Sequence, residues 1–292
     1  MSTVPPPTPA GMSPNTQIAA GISPKAQISV VGTSPRPPSS CLVSVMEEGR
    51  AVNPPFQEPV GLDSPTIVQK VLAEAIGTFI LIFVGCASVV VDQVAQTRLT
   101  PVGIAIAWGL ALLVAIYSVG HISGAHFNPS VTIALATTRR FPFKHVPAYV
   151  AAQVVGSILA SFILKGLISD KIQTALTLPS TGTSDLSVIV WEIITSFMLM
   201  FSICAVATDD RAASNAAGVA IGFTLLIDVL IAGQVSGASM NPARSIGPAL
   251  AARKFDSLWM YIVAPTMGTV AAALFYGLLR VRKSGCQMLK AV

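Results

Sequence analysis

From about residue 67 onward the chain alternates long apolar runs with short polar breaks. Six runs, at about 68–91, 101–120, 147–168, 187–207, 212–232 and 259–279, approach the ~20 residues that a helix needs to cross a ~30 Å hydrocarbon layer. They predict six membrane-spanning helices. Two further apolar segments are too short to cross it, Pro129 to about Thr138 after the second run and Pro242 to about Ala252 after the fifth. At ~1.5 Å per residue each reaches only ~15 Å, so the pattern predicts two half-helices that enter from opposite sides and meet near the middle.

The same stretch introduces both short segments. It reads Ser123-Gly124-Ala125-His126-Phe127-Asn128-Pro129 in one place and Ser236-Gly237-Ala238-Ser239-Met240-Asn241-Pro242 in the other. Asn favours the N-cap of a helix and Pro its first position, so each Asn-Pro marks a helix start. Three spans and one half-helix therefore occur twice, at about 67–168 and 187–279. The first spans share a register: Glu74, Thr78, Phe79, Phe83 and Cys86 match Glu192, Ser196, Phe197, Phe201 and Cys204. An odd number of spans per unit inverts one unit relative to the other and places a shared site at the bilayer midplane. The expected fold is an all-α membrane protein of six transmembrane helices and two re-entrant half-helices in an inverted repeat.

Composition agrees with this pattern: 52% of residues are hydrophobic, 11% are charged and the mean hydropathy is +0.70. A soluble domain is nearer a quarter charged. The net charge of +5 and pI near 9.2 do not point to nucleic acid, because the basic residues sit in loops and tails beside the apolar runs. With both termini in the cytoplasm the inner side carries nine of them (Lys70, Arg139, Arg140, Lys144, Arg211, Arg280, Arg282, Lys283, Lys290), the outer side five (Arg98, Lys165, Lys171, Arg253, Lys254). That bias favours cytoplasmic termini.

Residues 1–66 are rich in Pro, Ser and Thr and read as a disordered cytoplasmic tail with no cleaved signal peptide. Its short repeat, Gly-Met-Ser-Pro, Gly-Ile-Ser-Pro and Gly-Thr-Ser-Pro at 11–14, 21–24 and 32–35, offers Ser-Pro sites for phosphorylation. Residues 67–282 form the membrane domain and 283–292 a second cytoplasmic tail, in which Ser284 follows Arg280, Arg282 and Lys283 as a kinase substrate would. Cys41, Cys86, Cys204 and Cys286 show neither a disulfide framework nor a metal-ligand spacing.

The chemistry follows from the half-helices. A helix that ends within the membrane leaves unpaired N–H groups and roughly half a positive charge at its N-terminus. Two such ends facing one point repel cations, hydronium included, while the amides of Asn128 and Asn241 donate hydrogen bonds to the oxygen of a neutral solute. Arg244, three residues beyond Asn241, adds a second cation barrier and further donors. Glu74 and Glu192, at equivalent positions, are expected to accept hydrogen bonds from the backbone of the re-entrant loop of their own half. His121 and His126 line the mouth or fix the loop, and His121 is a candidate gating residue that senses pH at the cytoplasmic mouth. Asp228, inside the fifth run, faces either a helix partner or a subunit interface, and Gly77, Gly103, Gly109, Gly156, Gly218 and Gly222 suit close helix crossings. A narrow pore for small uncharged solutes is the reading these residues support. A polytopic membrane enzyme is the alternative from another class, but no intramembrane pair of catalytic Asp residues accompanies the buried Ser and His.

These two stretches, extended to Gly120–Pro129 and to Ser236–Ser245, resemble the signatures of the aquaporin, or major intrinsic protein, family over about residues 66–282. The resemblance implies a passive channel, one pore per subunit of a homotetramer, and no cofactor. It carries the paired boxes onto Asn128, Pro129, Ser130 and Asn241, Pro242, Ala243. The first departs from the family's Asn-Pro-Ala by Ser130, a departure some plant nodulin-26-like members share, and one that bears on water rate and selectivity. The family's four-residue selectivity filter falls on Trp108, twenty before Asn128, on Val229, twelve before Asn241, and on Ala238 and Arg244. This set resembles the nodulin-26-like class that passes glycerol as well as water. It implies a channel for water, glycerol and similar small neutral solutes in a lipid bilayer, the plasma membrane or an endomembrane; the alternative is a channel for arsenous, boric or silicic acid with low water permeability.

Overall fold

The computed structural model describes residues 64–95, 99–209, 211–212 and 214–280. The expectations for both tails, including the Ser-Pro repeat and Ser284, lie outside these residues. Among the described residues eight α-helices run in order: α1 Ile67–Ala95, α2 Thr100–Ser123, α3 Pro129–Thr137, α4 Val146–Ile168, α5 Asp185–Ala207, α6 Ala217–Ala232, α7 Pro242–Ala252 and α8 Met260–Leu279. Five of them, α1, α2, α4, α5 and α8, are long and apolar enough to cross a membrane. The sixth expected span is shorter than its apolar run suggested: α6 has 16 residues and starts at Ala217 instead of about 212. A single 3-10 turn, Ser214–Ala216, leads into it, and Tyr117 on α2 donates to the Asn215 carbonyl there (2.9 Å). At ~1.5 Å per residue α6 still covers most of a hydrocarbon layer.

The half-helices α3 and α7 have nine and 11 residues. Each starts at Pro, and each is capped by the Asn before it: Asn128 Oδ1 accepts from Ser130 N (2.9 Å) and Asn241 Oδ1 from Ala243 N (3.0 Å). Both Asn residues have extended backbone, so the chain approaches the cap straight and turns into the helix there.

The packing repeats as the sequence does. α1 packs on α2 and α4, and α5 packs on α6 and α8; α4 packs on α7, and α8 on α3. Exchanging α1 with α5, α2 with α6, α3 with α7 and α4 with α8 leaves this pattern unchanged. α2 and α6 cross on their own axis of exchange, where Gly109 and Gly222 bring backbone against backbone: a Cβ on either would lie within 2.8 Å of the other's carbonyl oxygen. Gly156 likewise presses on the Ala75 carbonyl and Gly268 on that of Ile193. Of the other glycines expected at crossings, Gly218 meets the Tyr117 ring and Gly77 the Phe127 ring, whereas Gly103 meets only Leu99 of its own turn and makes no crossing. The outward face of every spanning helix carries exposed apolar side chains, such as Leu72, Val114, Leu159, Ile194, Phe223 and Leu274. That is the composition of a surface solvated by lipid.

Candidate functional site

The two re-entrant loops share one backbone device. After Gly124 (φ 91°) and Gly237 (φ 85°), the non-glycine residues Ala125 and Phe127 in one loop, and Ala238 and Met240 in the other, all lie at φ between 44° and 53°. This left-handed region costs an L-residue of order 1 kcal/mol each. Alternate residues in it hold the loop open, so that carbonyls and N–H groups face outward instead of pairing within the segment.

Two buried carboxylates hold those groups. Glu74, fully buried on α1, accepts from His126 N (2.9 Å), Phe127 N (2.7 Å), Ser123 Oγ (2.7 Å) and Gln153 Nε2 (2.8 Å). Glu192, fully buried on α5, accepts from Ser239 N (2.9 Å), Met240 N (2.8 Å) and Ser236 Oγ (2.7 Å). Each therefore accepts two backbone N–H bonds from the loop of its own half. Hydrogen bonds to an ionised acceptor are about twice as strong as neutral ones, which suits them to hold strained backbone. Two tyrosines complete the cradle: Tyr149 donates to the Ser123 carbonyl (2.8 Å) and Tyr261 to that of Ser236 (2.7 Å).

At the centre the halves bond to one another. Asn128 Nδ2 donates to the Met240 carbonyl (2.8 Å) and Asn241 Nδ2 to the Phe127 carbonyl (2.9 Å). Since each Asn oxygen is already engaged by its own helix N-terminus, the amide orientation is fixed, and each amide retains one N–H without a partner among the described residues. Both Asn residues line a cavity of about 520 Å3. The same cavity is lined by Trp108, Val229, Ala238 and Arg244 and, toward its other end, by His121 and Arg140. All four expected filter residues thus line the same cavity as the two Asn.

Trp108 is 5% exposed and so faces the interior, not lipid. The Arg244 guanidinium carbon lies 5.1 Å from its ring centroid. Arg244 Nη1 donates to the Ala175 carbonyl (2.9 Å), while its Nε has no partner among the described residues. The charge is held by a carbonyl and a π-face, with donors left over for a bound molecule. A hydroxyl chain braces the arm behind it: Ser239 Oγ meets Ser245 Oγ (2.7 Å), which meets Thr177 Oγ1 (2.9 Å). In the first half His126 stands where Ser239 does, and its Nδ1 bonds Thr132 Oγ1 (3.1 Å), so His126 fixes the loop while exposed His121 lines the mouth.

Ser130 belongs to the first box but is not among the residues that line the cavity. Its side chain is fully buried and turned away from the cavity: Oγ meets Thr266 Oγ1 of α8 (3.1 Å), and Thr269 Oγ1 donates to its carbonyl (3.2 Å). The substitution of Ser for Ala therefore adds a contact between α3 and α8 and leaves the cavity wall unchanged. Asp228 is also settled between its alternatives, being fully buried on the inner stripe of α6 and not on an outer face. Cys86 and Cys204 are buried free thiols, and among the described residues no group of His, Cys, Asp or Glu could hold a metal ion.

Several participants were not anticipated from the sequence. Gly85 on α1 makes room for the indole, since a Cβ there would lie 2.3 Å from Trp108. Gln153, Thr132 and the Ala175 carbonyl are further examples. The tyrosines carried a usable signal, for Tyr149 and Tyr261 stand at nearly the same separation as the two boxes. At the far end of the cavity, Arg140 Nη1 donates to the Thr208 carbonyl (3.2 Å) and also contacts its hydroxyl; Arg280 donates to the same carbonyl. Beside them Asp209 pairs with Arg211 (2.6 Å) and accepts from Tyr276 (2.9 Å). The Arg211 guanidinium holds the Asp209 carboxyl well below the usual carboxylate range.

Comparison with known proteins agrees with this architecture. The chain is 53% identical over 226 residues to Nodulin-26 of Glycine max, covering 77% of this chain and 83% of that one. It is 50% identical over 217 residues to Aquaporin NIP1-1 of Zea mays (74% and 77%) and 48% identical over 228 residues to Aquaporin NIP3-1 of Arabidopsis thaliana (76% and 71%). Among solved structures, the aquaglyceroporin from Plasmodium falciparum shares the fold with a TM-score of 0.63 at 24% identity, over 72% of this chain and 96% of that one. The model of the major intrinsic protein family matches residues 61–276, starting a few residues before α1 and ending within α8. The relatives named aquaporins are channels and not enzymes, and by sequence, fold and paired Asn-Pro boxes this chain belongs to the major intrinsic protein family.

Proposed function

We propose that the protein is a passive transmembrane channel for water, glycerol and similar small uncharged solutes that excludes protons and ions. The observation that carries this reading is the locked pair of asparagine amides at one cavity with Trp108, Val229, Ala238 and Arg244. A solute between the half-helices meets only N–H donors from Asn128 and Asn241. A water oxygen that accepts from both must turn its hydrogens away from the centre, one toward each half, which interrupts the chain along which a proton would hop. The facing N-termini of α3 and α7 add a positive potential against cations.

The filter accounts for the solute. Trp108 presents an apolar face to the carbon side of a polyol, Arg244 donates to its hydroxyls, and Val229 and Ala238 are small and leave width. Glu74 and Glu192 act as structural support for the loops and do not transfer protons. Functional assembly as a homotetramer with both termini in the cytoplasm, in the plasma membrane, completes the reading; Arg140 and Arg280 then lie at the cytoplasmic mouth. The kinship with plant Nodulin-26 and aquaporins supports it. Stopped-flow light scattering on proteoliposomes tests it: glycerol and water cross faster than in empty vesicles, with no matching proton leak. Glycerol flux no faster than in empty vesicles would remove the solute assignment, and proton flux that tracks water flux would remove the barrier.

A further inference from the structure

The two carboxylates that hold the re-entrant loops are not served alike. Glu74 has a fourth donor, Gln153 of α4. Tyr149 and Tyr261, Gly156 and Gly268, and Ser157 and Thr269 make matching contacts and are each 112 residues apart. The same spacing pairs Gln153 with Pro265, which has neither a side-chain donor nor a backbone N–H. Glu192 therefore lacks the donor that Glu74 has.

A second asymmetry lies opposite. Gly109 and Gly222, which touch across the α2–α6 crossing, and Ser123 and Ser236 are 113 residues apart, and that spacing pairs Asp228 with the buried Ala115. Asp228 is 0% exposed, and neither carboxyl oxygen has a hydrogen-bond partner among the described residues. Glu192, also 0% exposed, stands on α5, which packs directly on α6. α2, packed on the other side of α6, presents no titratable side chain at its buried positions. A carboxylate buried without a partner is so costly that the group takes up a proton instead. The half that lost the amide donor is the half that gained a buried acid.

We propose that Asp228 replaces Gln153 in the second half: as a neutral carboxylic acid it donates its O–H toward Glu192 across one enclosed water, and so positions the loop that carries Ala238 beside Val229. The pair then holds one negative charge and one proton, and Glu192 stays the acceptor for Ser239 and Met240. Asp228 is a positioning residue; it does not touch the solute. The flux part of this inference rests on the filter reading above, but the proton itself does not.

The test uses the full-length channel in proteoliposomes. Infrared spectroscopy at neutral pH is expected to show a protonated-carboxyl C=O band that shifts in heavy water and vanishes in Asp228→Asn; its absence from the unmodified protein overturns the proposal. In glycerol flux, Asp228→Asn keeps a donor and stays near the parent rate, while Asp228→Leu falls by about tenfold, the weight of one hydrogen bond to a charged acceptor. Asp228→Ala combined with Pro265→Gln, which rebuilds the first half's arrangement, is expected to recover flux over Asp228→Ala alone. Equal flux in Asp228→Asn and Asp228→Leu, or a more heat-stable Asp228→Leu with unchanged flux, overturns the proposal. If the parent protein conducts no glycerol, the filter reading fails, and the infrared band with the melting temperatures of the same variants decides the donor role separately.

Discussion

Ser130 shows how a single residue can sit in a signature and yet serve the frame. Its hydroxyl bonds Thr266 and not a solute, so Ser130→Ala is expected to leave the ratio of glycerol to water permeability unchanged. It should lower stability by about 1 kcal/mol, the net value of one hydrogen bond, read as a fall in melting temperature. Val229 is the opposite case, for it lines the cavity beside Arg244. Val229→His is expected to narrow the opening and to reduce glycerol flux more than water flux; equal reductions would show that Val229 does not set the width. Gly85 acts through its neighbour: with a Cβ placed 2.3 Å from the Trp108 ring, Gly85→Ala must shift the indole toward the cavity. Glycerol permeability should drop without loss of expression. The boxes and Arg244 were legible in the sequence because an Asn-Pro cap and an intramembrane charge are local signals. Gly85, Gln153 and the Ala175 carbonyl were not, since each owes its role to a side chain or turn that is distant in sequence.

At the scale of elements the inverted repeat was readable wherever a register persisted: Glu74 and Glu192 with their aromatic followers placed α1 and α5, and the boxes placed α3 and α7 to within a residue. The start of α6 was not legible, because an apolar run does not separate a 3-10 turn at Ser214–Ala216, tied to Tyr117 of α2, from the regular helix that follows it. Gly103 looked equivalent to Gly109, yet only contact across α2 and α6 separates the glycine that is needed from the one that is not. Gly109→Val, which drives a side chain into the Gly222 backbone, is expected to cost about 1–3 kcal/mol as overpacking and to reduce the yield of folded channel. Tyr149→Phe and Tyr261→Phe, which remove matching bonds to the Ser123 and Ser236 carbonyls, are expected to lower melting temperature by similar amounts. A large difference between them would mean that the halves bear unequal loads.

For the whole molecule, the cavity end at Arg140 and Thr208 is tied together from three elements: the turn after α3, the end of α5 and the end of α8. Asp209, kept ionised by Arg211 and Tyr276, anchors the adjoining turn. A carboxyl held below its ordinary range adds stability above the unfolded value of about 4 and loses it only as the pH falls further. Removing its partner in Arg211→Ala should raise the folded-state value toward the unfolded one and move acid unfolding to higher pH, as read by intrinsic fluorescence during acid titration. The reciprocal bonds at the centre also carry a consequence for the birth of the protein. Asn128 and the Met240 carbonyl that receives its amide are 112 residues apart. At a ribosome's pace of about 5–20 residues per second, the first half-helix waits roughly 6–20 s for the partner that completes it. Throughout that interval Glu74 and Tyr149 can already hold the first loop, but the Asn128 amide and the Phe127 carbonyl lack the partners that only the second box supplies.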